Sequence, residues 1–230
     1  MRSRKVSDGE ILEAVQRAMQ RRGPHELTLA DIAAEAGVTP GLLVQRFGSK
    51  RDLLLALSEQ FAGSAPAVFA ALRAAHPAPL AALRAYAECM AGLASSPDAL
   101  ARNLAYLQID LTDEAFRVHL LANARATRRE IETLVRAAMS AGELDKRTDP
   151  RRLARTIETT TGGSLMSWAC YREGPAAAWI RDDLDAVLEP YLTRRTATGG
   201  PTRPPARRSA PAAASGARRA PRWTSDRRPG

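Results

Sequence analysis

Two helix starts fall within the span from Thr28 to Phe47, and no other feature restricts the fold of this chain so strongly. Thr28 followed three residues later by Asp31 has the form of an N-cap, with Leu27 placed to staple onto Ile32 across it. Gly37 ends that short helix, because glycine takes a positive φ without steric cost. Thr39 is then the next N-cap and Pro40 the first helical residue, where a missing N–H costs nothing. Ile32, Ala33, Ala36, Val38, Leu43 and Phe47 are the small and apolar positions that join the two helices, with Ala33 permitting close approach. Helix, sharp turn, helix at this spacing lets one helix brace while the next projects into a groove.

The flanking segments read as helix too. Ser7-Asp8-Gly9-Glu10 is a capping box with Val6 placed to staple onto Ile11, and Ile11, Leu12, Val15, Ala18 and Met19 share a face until Gly23-Pro24. Ser49-Lys50-Arg51-Asp52 is another capping box, opening a fourth helix through Leu53, Leu54, Leu57 and Phe61. Beyond Pro66, longer amphipathic helices follow, one carrying Leu80, Leu83 and Ala87, the next Leu100, Leu104 and Leu107. A long helix from about Glu114 to Ala141 precedes one from Asp149-Pro150 to Tyr171, and Gly174-Pro175 opens the last. Ala and Leu dominate the 45% of hydrophobic residues and no run alternates as a strand would. The expectation is an all-α protein of about nine helices: a three-helix helix-turn-helix domain over residues 1–48, a helical domain over 49–193, and a tail over 194–230.

The net charge of +9 belongs to that tail, which holds ten Arg against the single acid Asp226, while the other 24 basic and 24 acidic residues cancel. Rich in Pro, Arg, Ala, Ser and Gly without helical periodicity, it reads as disordered. It either adds salt-sensitive DNA affinity or is simply solvated. No stretch reaches the roughly 18 apolar residues of a membrane span and no signal peptide opens the chain, so the expected location is cytoplasmic. Cys89 and Cys170 lack metal or redox spacing and read as buried thiols. His25, His76 and His119 are scattered, Gly162-Gly163-Ser164-Leu165 is not a nucleophile elbow, and no phosphate loop or dinucleotide fingerprint occurs. No enzyme chemistry and no cofactor are expected.

Leu27-Thr28-Leu29-Ala30-Asp31-Ile32-Ala33-Ala34-Glu35-Ala36-Gly37-Val38-Thr39, then Phe47-Gly48-Ser49-Lys50-Arg51-Asp52-Leu53-Leu54, resembles the N-terminal signature of the TetR/AcrR transcriptional regulators. The resemblance spans roughly residues 7 to 60. It departs in the recognition helix, where the family commonly has a Lys-Gly-Thr-Leu-Tyr-His-Tyr-Phe-like run and this chain reads Pro40-Gly41-Leu42-Leu43-Val44-Gln45-Arg46-Phe47. Both tyrosines are gone, and Arg46 stands where the second, usually a phosphate contact, would be. The base preferences of characterised relatives therefore do not transfer.

The resemblance implies a dimeric regulator, a repressor, binding a palindromic operator and released by a small molecule. Thr28, Thr39, Arg46 and Lys50 are then candidate phosphate contacts, with solvated surface charge the alternative for the two cations. Gln45 is the candidate base reader, since its amide pairs with adenine N6 and N7, and Val44 or Leu42 would meet a thymine methyl, unless Leu42 serves helix packing. Pro40 and Gly41 complete the DNA-facing set. Arg2, Arg4 and Lys5 form a basic arm that either enters the minor groove or is disordered.

In the family the last two helices pair with their copies, which makes Gly162, Gly163, Leu184, Val187 and Leu188 candidate dimer contacts; the alternative is packing inside one subunit. The family's ligand pocket lies between the middle helices, where Met90, Tyr106, Asp110, Trp168 and Cys170 are candidate lining residues or, alternatively, ordinary core. The helix opening at Ser49 would carry the ligand's effect to the DNA-binding domain. A helical interaction or scaffold protein, or a non-specific DNA binder without ligand response, is the rival reading.

Overall fold

The computed structural model describes residues 6–92 and 94–193. The basic arm (Arg2, Arg4, Lys5) and the tail from 194 to 230 lie outside the described residues. Among the described residues ten α-helices run in order: α1 (Asp8–Arg21), α2 (Leu29–Ala36), α3 (Pro40–Phe47), α4 (Lys50–Ala62), α5 (Ala65–Ala75), α6 (Pro79–Gly92), α7 (Pro97–Thr112), α8 (Glu114–Ser140), α9 (Pro150–Tyr171) and α10 (Ala176–Leu188). No strand occurs among the described residues; one isolated bridge joins Leu144 to Leu192.

The start signals act where the sequence places them. Ser7 with Glu10 and Thr28 with Asp31 form complete capping boxes. Ser49 forms only half of one. Its hydroxyl accepts from the Asp52 N–H at 3.1 Å, but its own N–H donates to the Phe47 carbonyl across the tight turn and is not free for Asp52. The helix count also rises from nine to ten, because Pro66 opens α5 and does not break it; Pro in the first turn removes only an N–H that had no partner.

Two cores result. One joins α1 to α4, with Ile11, Ile32, Leu43 and Leu53 at its centre, and Tyr106 from α7 and Phe116 from α8 close it from the other side. α4, on the far side of the boundary expected between residues 48 and 49, thus contributes Leu53, Leu54 and Leu57 to the same core as the helix-turn-helix. The second core joins α5, α6, α8, α9 and α10 around Leu83, Ile131, Ile157 and Leu188. α8, about 40 Å long at 1.5 Å per residue, feeds both, with Phe116 in the first and Ile131, Leu134 and Val135 in the second.

Cys89 and Cys170 are exposed, against the expectation of buried thiols. Each falls off the buried stripe of its helix, which is Leu83, Tyr86, Ala87 and Ala91 in α6 and Ile157, Thr161, Ser164, Leu165 and Trp168 in α9. Among the described residues no single helix is long and apolar enough to cross a membrane, and no group of three or more metal-ligating side chains gathers.

Candidate nucleic-acid interface and ligand cavity

α1 and α2 are locked by charge as well as by the core. Glu35 accepts from Arg17 at 2.7 Å and from Arg21, and Arg22 pairs with Asp31 at 3.3 Å. Thr28, donating to Asp31, holds that carboxyl below the usual carboxylate range. Gly37 turns the chain at φ 66°, and the Val38 N–H closes the turn on the Ala33 carbonyl at 2.9 Å. α3 leaves this turn with Leu43 sunk into the core, so helical geometry sends Pro40, Gly41, Val44 and Gln45 outward, all exposed. Val44 is 48% exposed, high for a branched apolar side chain. A Cβ on Gly41 would meet only the Thr39 hydroxyl, at 4.0 Å, so nothing within the subunit demands a glycine there. Leu42 is half-buried.

The hydroxyls and cations around this face are partly engaged. The Thr39 hydroxyl accepts from the Leu42 N–H at 3.3 Å and keeps its own proton to donate. Thr28 gives both its N–H and its O–H to Asp31. Lys50 reaches across to the carbonyls of Pro24 and Leu27 at 3.0 and 2.8 Å, tying the loop between α1 and α2 to the start of α4, with one of its three donors left over. Arg46 is not a free cation. It is 22% exposed, and its Nη1 donates to the Val6 carbonyl at 2.7 Å and pairs with Asp8 at 3.2 Å, pinning the end of α3 to the start of α1.

Behind the helix-turn-helix, a cavity of about 80 Å³ opens between α1, α4, α7 and α8. Met19, Leu54, Leu57, Phe61, Ile109 and Phe116 make its apolar walls, and Ser58, Tyr106 and Asp110 its polar points. Burial pushes the Asp110 carboxyl above its ordinary value, partly offset by a hydrogen bond from Ser58. Burial likewise pushes the Tyr106 phenol up to about 12, so it is a neutral donor, and its hydroxyl caps the Arg22 carbonyl at the end of α1 at 3.0 Å. Arg51, one turn before Leu54, forks onto Asp113 at 2.7 and 2.9 Å and lies 5.4 Å above the Phe116 ring. Asp113 is the N-cap of α8, so α4 and α8 are fastened beside the cavity.

The five candidate ligand residues do not gather. Tyr106 and Asp110 share this cavity, while Met90 and Trp168 pack in or against the second core and Cys170 points to the outside. Trp168 spends its indole N–H on the Gly174 carbonyl at 2.9 Å. The dimer candidates divide as well. Gly162 and Gly163 lie bare on the outer face of α9 beside Met166. Leu184 and Leu188 are 1% and 0% exposed, and Val187 packs half-buried on the same core. With Ile180 they form the inward stripe of α10, so the expectation that Leu184 and Leu188 meet a partner subunit is corrected: the subunit's own core uses them. Of the cavity's lining, sequence reasoning named Tyr106 and Asp110 and missed the rest; the signal it left unread is the run Leu54, Leu57, Ser58 and Phe61, at helical spacing on one side of α4.

A braced helix whose outer face is bare, carried on a helical body, defines a helix-turn-helix transcription factor. The profile of the bacterial regulatory proteins of the tetR family matches residues 11–57, and that of the tetracyclin repressor-like C-terminal domain matches residues 104–184. The chain belongs to the TetR family, whose members are DNA-binding transcription regulators and not enzymes. It is 48% identical over 48 residues to the HTH-type transcriptional regulator TtgR of Pseudomonas putida, a match over 21% of this chain and 23% of that protein. To the regulator HbdR of Aromatoleum sp. (strain CIB) it is 25% identical over 82% of each chain. The transcriptional regulator FadR from Bacillus subtilis, solved in complex with stearoyl-CoA, shares the fold at a TM-score of 0.60 and 17% identity over 79% of this chain and 97% of that one.

Proposed function

We propose that this TetR-family regulator is a dimeric repressor that binds a palindromic operator with α3 in the major groove and leaves it when a small molecule occupies its helical domain. The observation that carries this reading is the outer face of α3, on which Gly41, Val44 and Gln45 stand exposed on a helix anchored by Leu43. Gln45 reads an adenine through N6 and N7, Val44 meets a thymine methyl, and Gly41 lets the backbone come close. Thr39 donates its hydroxyl and Lys50 its third N–H to phosphates. At Thr28, whose hydroxyl is engaged, the first-turn amides of α2 take that part. Arg46 acts by fixing α3 against α1.

Two subunits joined through the outer face of α9, around Gly162, Gly163 and Met166, present two copies of α3 to half-sites about 34 Å apart. The protein works in the cytoplasm, on DNA. Release follows if the ligand prefers a dimer with a different α3 spacing. α4 is the element that transmits the change, since Lys50 ties it to the α1–α2 loop and Arg51 to α8. That a solved relative, FadR, carries a ligand supports a ligand-responsive reading.

The test is binding to DNA from beside the protein's own gene, against scrambled DNA at near-physiological salt, with the full chain and with a chain ending at Thr193. Selective binding by both is expected. Unselective binding, or binding lost with the tail, favours the scaffold or non-specific DNA binder.

A further inference from the structure

We propose that the cavity between α1, α4, α7 and α8 binds a small aliphatic ammonium ion, with the Asp110 carboxylate accepting the cation and Leu57, Ile109 and Phe116 enclosing the hydrocarbon. Calling this the effector site rests on the regulator reading above; the binding itself does not.

Three observations carry it. First, the walls are apolar except on one side, where Asp110, Ser58 and Tyr106 meet, so the cavity suits a molecule with an apolar body and one polar end. Second, Asp110 is a half-buried carboxylate among apolar neighbours with the Ser58 hydroxyl as its partner, and it forms no salt bridge with a cation among the described residues. Arg51, on the same helix as Ser58, spends its guanidinium on Asp113. Tyr106 gives its O–H to the Arg22 carbonyl and has none left for Asp110. A carboxylate that has lost part of its water without gaining a counter-charge is costly to keep ionised, and an entering ammonium supplies the missing charge and donors together. Third, the volume of about 80 Å³ is roughly half that of an engineered cavity that holds benzene, which leaves room for about three non-hydrogen atoms, the size of an ethylammonium ion.

The position of the cavity gives occupancy a consequence. It is lined by α1 and α4 of the DNA-binding end and by α7 and α8 of the body, and Phe116 at its wall lies under Arg51. A guest that moves Phe116 or Tyr106 acts on the Arg51–Asp113 and Tyr106–Arg22 contacts, which join the two parts.

The experiment uses ethylamine hydrochloride and ethanol as probes on the full chain without DNA, followed by NMR of methyl-labelled methionine. The chain has five methionines, of which Met19 lines the cavity. The expected result is a saturable shift of the Met19 methyl with ethylammonium, in the range of about 1–10 mM for so small a ligand, and at least tenfold weaker binding of ethanol. Asp110→Asn, which keeps the shape and can still accept from Ser58, loses the ammonium response. Ser58→Leu, which fills the space and keeps the carboxylate, loses the response to both probes. An unmoved Met19, equal binding of ethanol, or an undiminished response in Asp110→Asn overturns the proposal. Ethylammonium binding as expected in a protein that ignores its operator leaves the site standing and refutes the regulator reading instead.

Discussion

Replacing Lys50 with methionine keeps the apolar stem and removes the ammonium, which separates what the charge does for the fold from what it does for DNA. In the fold, Nζ donates to the carbonyls of Pro24 and Leu27 at 3.0 and 2.8 Å, and among the described residues no backbone N–H donates to either oxygen across a turn or loop. Hydrogen bonds from a charged donor contribute about 1.5–3 kcal/mol, and the partial exposure of Lys50 lets water replace part of the loss, so about 1.5–2 kcal/mol is expected for the pair. For a domain of this size that lowers Tm by about 3–8 °C. On DNA, the third donor neutralises one phosphate per subunit, so the log–log salt dependence of binding flattens by about 0.9 per subunit, equally for operator and scrambled DNA. Differential scanning fluorimetry and fluorescence anisotropy at several salt concentrations read the two effects. An unchanged Tm refutes the carbonyl clamp. An unchanged salt slope refutes the phosphate contact.

Gly41→Ala is expected to raise Tm slightly, because alanine has the better helix propensity by up to about 1 kcal/mol and its methyl meets only the Thr39 hydroxyl, while operator affinity falls; affinity unchanged would mean that α3 does not approach DNA closely there. Asp110→Asn is expected to stabilise the protein at pH 7.5. Burial raises the native carboxyl above its unfolded value, so the wild type carries a cost when the group is charged that disappears as the pH falls through that raised value toward 3.8. The Tm difference should therefore shrink toward pH 4, and a constant difference would contradict the burial argument. Met166→Arg, on the exposed face of α9, is expected to shift light-scattering mass from dimer toward monomer with little change in subunit helicity; an unaltered mass would remove α9 from the interface.

The DNA-binding end was legible because its signals are local. Ser7 with Glu10, Thr28 with Asp31, and the Thr39-Pro40 start are interactions between residues at most three apart, and Gly37 acts through its own φ. Arg46 and Lys50 were legible as residues of this end but not in their bonds. Their partners, Val6 and the carbonyls of Pro24 and Leu27, lie 40, 26 and 23 residues away and are brought near only by packing. The helix from Ala65 to Ala75 went unread because a proline such as Pro66 ends one helix as readily as it opens the next, and only the chain path decides between them. Leu184 and Leu188 were read for their apolar character, which a core and an interface demand alike. The cavity draws Tyr106 and Asp110 from α7 but its opposite wall from α1, α4 and α8, and no periodicity within one helix reveals which helices will face each other.

Whether the outer face of α3 reads base sequence is decided by the affinity of wild type and Gln45→Ala for a set of operators changed one base pair at a time. The wild type is expected to lose about 1–3 kcal/mol at an A·T pair placed symmetrically in each half-site, and Gln45→Ala to lose this discrimination at that pair alone. Equal profiles for the two proteins, or a uniform loss at every position, would contradict base reading by α3.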